Sequence, residues 1–172
     1  KITVAPQIGT YLLDLLRKAQ RRAFLPATTM HTFEACALTT GKNPIIPIIR
    51  AESNKIGIVG TGIFNKRQLV AKVGIRESRS LVMLRGLRTT GFIPFVLEKQ
   101  GEQIDEGTVS VTNSRKVKVD QQNGKITFYV NVFLKGSLVE HSDLIPVDKT
   151  RINEIEKVVS RVIAADCRRF IR

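Results

Sequence analysis

The stretch "KIGIVGTGIFNKRQLVAK", Lys55 to Lys72, decides between two folds. An apolar run leads into Gly60-Thr61-Gly62, which opens some nucleotide-binding loops and also suits a glycine-bearing strand. A dinucleotide fingerprint needs a third glycine, then a helix whose N-terminus receives the pyrophosphate. Here the third position is Asn65, and "LVAKV" beyond it fits a strand at least as well as a helix. No Gly-Lys-Ser/Thr follows at P-loop spacing. Ile56, Ile58 and Ile63 keep strand-type spacing up to the turn Asn65-Lys66-Arg67, and "RQLVAKV" is the hairpin partner. The glycines then mark a bulge or a close backbone approach.

Working outward, residues 7 to 23 carry Ile8, Leu12, Leu15, Leu16 and Ala19 at helical spacing. Arg17, Lys18, Arg21 and Arg22 gather toward the end, where the helix dipole favours cations. Pro26 stops this helix. A second helix is expected over Thr29 to Leu38, with Gly41 near its end. "NPIIPIIR" then enters a sheet at its edge, because proline donates nothing to a strand ladder. After the hairpin, "ESRSLVMLRGL" returns to helical spacing with Gly86 as the C-cap.

From "GFIPFVLEK" onward strand signals dominate: Phe92 to Glu98, Thr108 to Thr112, then "RKVKVDQQNGKITFYVNVFLKGSLVE" with a hairpin turn at Asn123-Gly124. Ile126, Phe128, Val130, Val132 and Leu134 share one face of a long strand. An amphipathic helix over about Lys149 to Arg172 closes the chain, its stripe built from Ile152, Ile155, Val159, Val162, Ile163 and Phe170. The expected class is α+β, in two small mixed modules. Residues 1–88 hold two helices, a hairpin and a helix. Residues 89–172 hold an antiparallel meander covered by the long helix, with the boundary near Thr89.

The 172 residues are 42% hydrophobic and 25% charged, the composition of a globular protein with a real core. The net charge of +13 favours anionic partners without choosing among them. No GxSxG, HExxH or Cys/His pair at a recognised spacing appears, and the carboxylates lie scattered beside lysine and arginine. No catalytic residue, cofactor or metal ligand is assigned. His141 beside Glu140 and Asp143 raises a metal site but reads as a surface turn. Cys36 and Cys167 each sit among apolar residues and read as buried free thiols, with a disulfide open only if the fold brings them together.

The opening stretch also carries a resemblance. "GTGIFNKRQLVAKVGIRESRSLVMLRG" is similar to a block of the Ger(x)C family, the C subunits of spore germinant receptors. Gly60, Ile63 and Phe64 fit its first part, Leu69 and Val70 its second, and Glu77, Ser78 and Arg79 its third. "NPIIPIIR" resembles the family's P-x-x-P approach, and "GSLVE" with the long helix bearing Glu156 resembles its C-terminal domain. Gly62 stands where the family tends to alanine, and Ala71 where it tends to glycine. The chain opens at Lys1 and lacks the family's lipoprotein start and a strand beyond the long helix. It therefore reads as the middle domain and most of the C-terminal one.

The resemblance implies a non-enzymatic, lipid-anchored subunit at the outer face of the spore inner membrane. Its partners would be integral-membrane A and B subunits, with no nucleic acid. Such a subunit docks by surface contact, and Glu77, Arg79 and Glu140 are the candidate docking charges. The alternative is a basic module that binds nucleic acid or an anionic surface. It lacks any nucleic-acid-binding motif, and with aromatics at 6% base stacking has little to work with.

Overall fold

The computed structural model describes residues 5–52, 55–99, 102–142 and 147–171; Asp143 and Arg172 lie outside them. The elements run α1 Ala5–Arg22, α2 Met30–Leu38, β1 Ile45–Glu52, β2 Lys55–Asn65, β3 Gln68–Gly74, α3 Ile75–Arg85, β4 Thr90–Lys99, β5 Glu102–Gln122, β6 Lys125–His141 and α4 Lys149–Ile171. The architecture is α+β, with two three-stranded antiparallel sheets ordered β1-β2-β3 and β4-β5-β6. The chain divides into two compact units, Lys1–Arg79 and Ser80–Arg172.

In the first unit, α1 ends at Arg22 and Phe24 turns the chain in the left-handed region, with φ 49°. A non-glycine residue takes that conformation only under constraint, and here Phe24, Leu25 and Pro26 are all fully buried. Thr28 then donates to the Ile45 carbonyl at 2.6 Å, fixing the loop on β1. Thr29 caps α2 through a reciprocal box with Thr32: each side chain accepts from the other's backbone N–H, at 3.2 and 2.8 Å. Pro47 lies in β1, an edge strand, where its missing N–H costs no ladder bond. The opening stretch is the β2–β3 hairpin, and Lys66 at its turn has φ 53°.

In the second unit, α3 closes in a Schellman motif. Leu87 N–H donates to Val82 O and Gly86 N–H to Met83 O, with Gly86 at φ 70°. The Arg115 guanidinium lies against Gly86 and donates to the Leu84 carbonyl, meeting the negative end of the helix dipole. Along β4, Ile93, Phe95 and Leu97 are buried while Phe92, Val96 and Glu98 face out, the period-two alternation of a one-sided sheet. Val109 and Val111 of β5 share the buried face. Helix α4 packs on β4 through Ile155, Val159, Ile163 and Cys167, recurring every fourth residue. Burying each such aliphatic side chain contributes about 1.5–3 kcal/mol.

Two expectations from the sequence change. Thr108–Thr112 and Arg115–Asp120 belong to one continuous strand, β5. The helix, expected to cover the apolar face of the sheet, lies over β4 and leaves Ile126 and Phe128 of β6 exposed.

Candidate functional site

The glycine stretch comes first. Gly60 faces Ile48 on one side and Gly74 on the other, beside a register shift in β1–β2 pairing. A Cβ on Gly60 would lie 1.9 Å from the Val73 carbonyl oxygen. The residue is glycine because the β3 backbone passes there, as read from the sequence. Gly62 is tight against Leu69 and Phe64 side chains. Thr61 between them is fully buried, and its hydroxyl has no hydrogen-bond partner among the described residues. The segment after the glycines is strand, so no helix N-terminus faces them.

The three candidate docking charges occupy different settings. Glu77 is exposed in the first turn of α3, with its carboxylate over Gly74 and at the positive end of the helix dipole. Arg79 lies two positions on and points elsewhere, since residues so spaced do not share a helix face. It is half-buried and engaged within the chain. Between them Ser78 is buried and donates to Gly74 O at 2.7 Å, tying the helix start to the hairpin. Glu140, in the second unit, is exposed near the end of β6 and accepts from Thr108 Oγ1 at 3.3 Å.

Two polar constellations escaped the sequence reading. In the first unit Arg67, in the β2–β3 turn, grips Glu34 of α2. Its Nη2 and Nε donate to Glu34 Oε2 at 2.7 and 3.2 Å. These bonds hold the Glu34 carboxyl below its ordinary value and raise the Arg67 guanidinium. Alongside, Phe33 and Phe64 meet edge to face with centroids 5.1 Å apart.

In the second unit Asp105 is 1% exposed. It accepts from Ser142 Oγ at 3.1 Å and faces Arg151 Nε at 3.5 Å and His141 Nδ1 at 3.9 Å. Serine, histidine and aspartate together invite comparison with a hydrolase triad. The order is different: the serine hydroxyl meets the carboxylate and not the imidazole, so no base stands ready to take its proton. His141 was singled out in the sequence for Glu140 and Asp143; strand pairing gives it Asp105 instead. Among the described residues no group of three or more His, Cys, Asp or Glu is placed to hold a metal. Cys36 is half-buried and Cys167 buried, both as thiols.

Between α4 and β6 runs an open apolar groove of about 880 Å³. Val111, Val130, Val132 and Leu134 form its floor, and Ile155 and Val159 its helical wall. The signal for it was the run of alternating apolar residues on β6, which exceeds what one helix can cover. Among the described residues no helix is long and apolar enough to cross a membrane.

Residues 59–172 match the family described as "Spore germination B3/ GerAC like, C-terminal", and the chain belongs to that family. The fold is similar to the crystal structure of the GerBC protein, at TM-score 0.64 and 20% identity. The match covers 83% of this chain and 44% of that one, so this chain spans less than half the length of that structure. No curated protein matches the chain.

Proposed function

We propose that this chain serves as part of a germinant-receptor C subunit, a non-enzymatic protein that helps trigger spore germination through contacts with other subunits. The family match over residues 59–172 carries this reading. The fold likeness supports it, and so does the chemistry of the polar clusters. Glu34–Arg67 and the Asp105 group have the partners of structural ties and lack a nucleophile–base pair. The partners are integral-membrane A and B subunits that sense nutrients, and the place of action is the outer face of the spore inner membrane, where a lipid anchor holds the full-length protein. No cofactor is assigned.

Glu77 and Glu140 are the docking charges we favour, since both are exposed. Arg79 is half-buried and engaged within the chain, and so is the weaker candidate. The test is Glu77→Lys and Glu140→Lys in the full-length protein, scored for thermal stability, co-isolation with the membrane subunits and nutrient-triggered germination. Exposed changes shift stability by within about 0.5 kcal/mol. A fold left intact with assembly or germination weakened supports the role. Normal assembly and germination in both variants would reject these docking residues. Germination unaffected by deleting the whole gene would reject the receptor reading itself.

A further inference from the structure

The Asn123-Gly124 turn joins β5 to β6 with φ 50° and 78°, and the ladder closes on the pair Gln122–Lys125. Strand β4 pairs with β5 only as far as Thr112. Past that point β5 and β6 run on as a two-stranded ribbon with this turn at its tip. Asn123 is exposed, and nothing lies within 4 Å of the place a Cβ on Gly124 would take. The Asn123 side chain makes no hydrogen bond among the described residues. The other described asparagines are placed differently. Asn43 precedes Pro44, which has no N–H. Asn113 is 1% exposed and engages both amide atoms with Thr89 and Leu87. Asn153 is held in α4. Asn65 and Asn131 precede Lys66 and Val132, whose side chains crowd the backbone nitrogen between them.

We propose that Asn123 is a site of spontaneous covalent modification, losing its side-chain amide to a ring closed by Gly124. The Gly124 backbone nitrogen gives its proton to solvent base and bonds to Asn123 Cγ. The Cγ–Nδ2 bond breaks, ammonia leaves with a proton from solvent, and a cyclic imide remains. Water then opens the imide at either carbonyl. Opening at Cγ restores the chain with aspartate in place of the asparagine. Opening at the backbone carbonyl carbon routes the chain through Cβ and Cγ, as isoaspartate. Water is consumed, ammonia is released, and nothing is oxidised or reduced. Only glycine offers the attacking nitrogen with no side chain in the way. Cyclisation takes Asn123 out of its turn conformation, so each event starts from an opening of the tip. Segments with few buried contacts open at the lowest free energy. Either product puts a new negative charge two residues before Lys125. Isoaspartate also adds a backbone atom, so a two-residue turn no longer closes Gln122 on Lys125. The inference goes beyond the receptor reading and does not rest on it.

The experiment incubates the folded 172-residue chain in mildly alkaline buffer and maps it by peptide mass spectrometry, with ion exchange to separate the products. We expect amide loss at Asn123 ahead of every other asparagine, with aspartate and isoaspartate both formed. The reaction quickens in urea below the unfolding transition. Asn123→Gln and Gly124→Ala each suppress it, since glutamine needs a larger ring and alanine crowds the nitrogen, whether or not the tip is folded. In the purified isoaspartate form, amide hydrogen exchange quickens over residues 115–135 and stays native over 93–97. The proposal is overturned by absence of amide loss at Asn123, or by equal or faster loss at another asparagine. It is also overturned by a rate that ignores urea or Gly124→Ala, or by an isoaspartate form with native exchange across the ribbon. The assay contains no receptor partner, so its failure leaves the receptor reading standing.

Discussion

Arg67 clasps Glu34 with two donors on one carboxylate oxygen, joining the β2–β3 turn to helix α2 across 33 residues of sequence. The pair is exposed, so its worth is set by geometry more than by desolvation. Beside it, the Phe33–Phe64 contact makes the same connection, one residue earlier on α2 and three residues earlier on the hairpin.

The pair gives the stability a pH dependence of known sign. Hydrogen bonding from Arg67 lowers the folded-state value of Glu34 below the ordinary 4.5. A carboxylate whose folded value is depressed stabilises above its unfolded value and loses that contribution as pH falls through the folded one. Comparing urea midpoints of the native chain and Glu34→Gln, we expect a gap at neutral pH that closes at pH values below 4.5. A gap that widens in acid contradicts the assignment.

Gly60 and Gly124 should fail differently when substituted. At Gly60 an added methyl meets the Val73 carbonyl oxygen, and backbone must move. At Gly124 space is open and only the left-handed conformation, φ 78°, opposes it. We expect Gly124→Ala to cost about 1–2 kcal/mol. Gly60→Ala should exceed about 4 kcal/mol, the diagnostic range for gross strain. Thermal unfolding of both variants decides this, and equal losses would refute the packing account.

Asn113 is 1% exposed and saturates three groups around the start of β4. Its Oδ1 accepts from Thr89 N at 3.1 Å and Thr89 Oγ1 at 2.9 Å, while Nδ2 donates to Leu87 O at 3.0 Å. Asn113→Ala leaves these part-buried bonds unmade, at about 1–3 kcal/mol for each group stranded. We expect a total loss of about 3 kcal/mol in urea unfolding. Asn113→Asp, which cannot donate to Leu87 O, should also destabilise; full stability in either variant would discard the role.

Thr61 tests the opposite direction. Its buried hydroxyl lacks a partner among the described residues, and valine has nearly the same shape. Removing an unsatisfied buried polar group should raise stability by about 1 kcal/mol. A loss of stability in Thr61→Val would mean the hydroxyl is bonded in solution.

What the sequence revealed was local. The Asn123-Gly124 turn and the alternation around it announce a hairpin, and the β5–β6 register agrees from Gln122–Lys125 outward. Gly86 likewise marks a helix end through its own backbone preference. The expected strands Thr108–Thr112 and Arg115–Asp120 leave Asn113-Ser114 between them, residue types that favour turns. Burial against Thr89 and Leu87 overrides that preference and the strand runs through. Glu34–Arg67 and Asp105–Arg151 had no local signal at all, since each joins distant segments that only the fold brings together. The exposure of Phe128 was equally hidden: the pattern of β6 marks an apolar face and says nothing about how far a helix extends over it.

The position of the β5–β6 turn also sets an order of assembly. From Asn123-Gly124, where both residues have positive φ, each new cross-strand pair closes a loop little longer than the last. Hairpins of this kind form in about 1–10 μs. Docking α4 on β4 joins Thr90–Lys99 to Lys149–Ile171 and bears a much larger closure entropy. The ribbon is thus expected to zip before the core beside it consolidates. In stopped-flow measurements Gly124→Ala should act mainly on the folding rate and Val159→Ala mainly on the unfolding rate. The reverse pattern would place the helix first. The segment with least cover in the finished fold would then be the one that begins it.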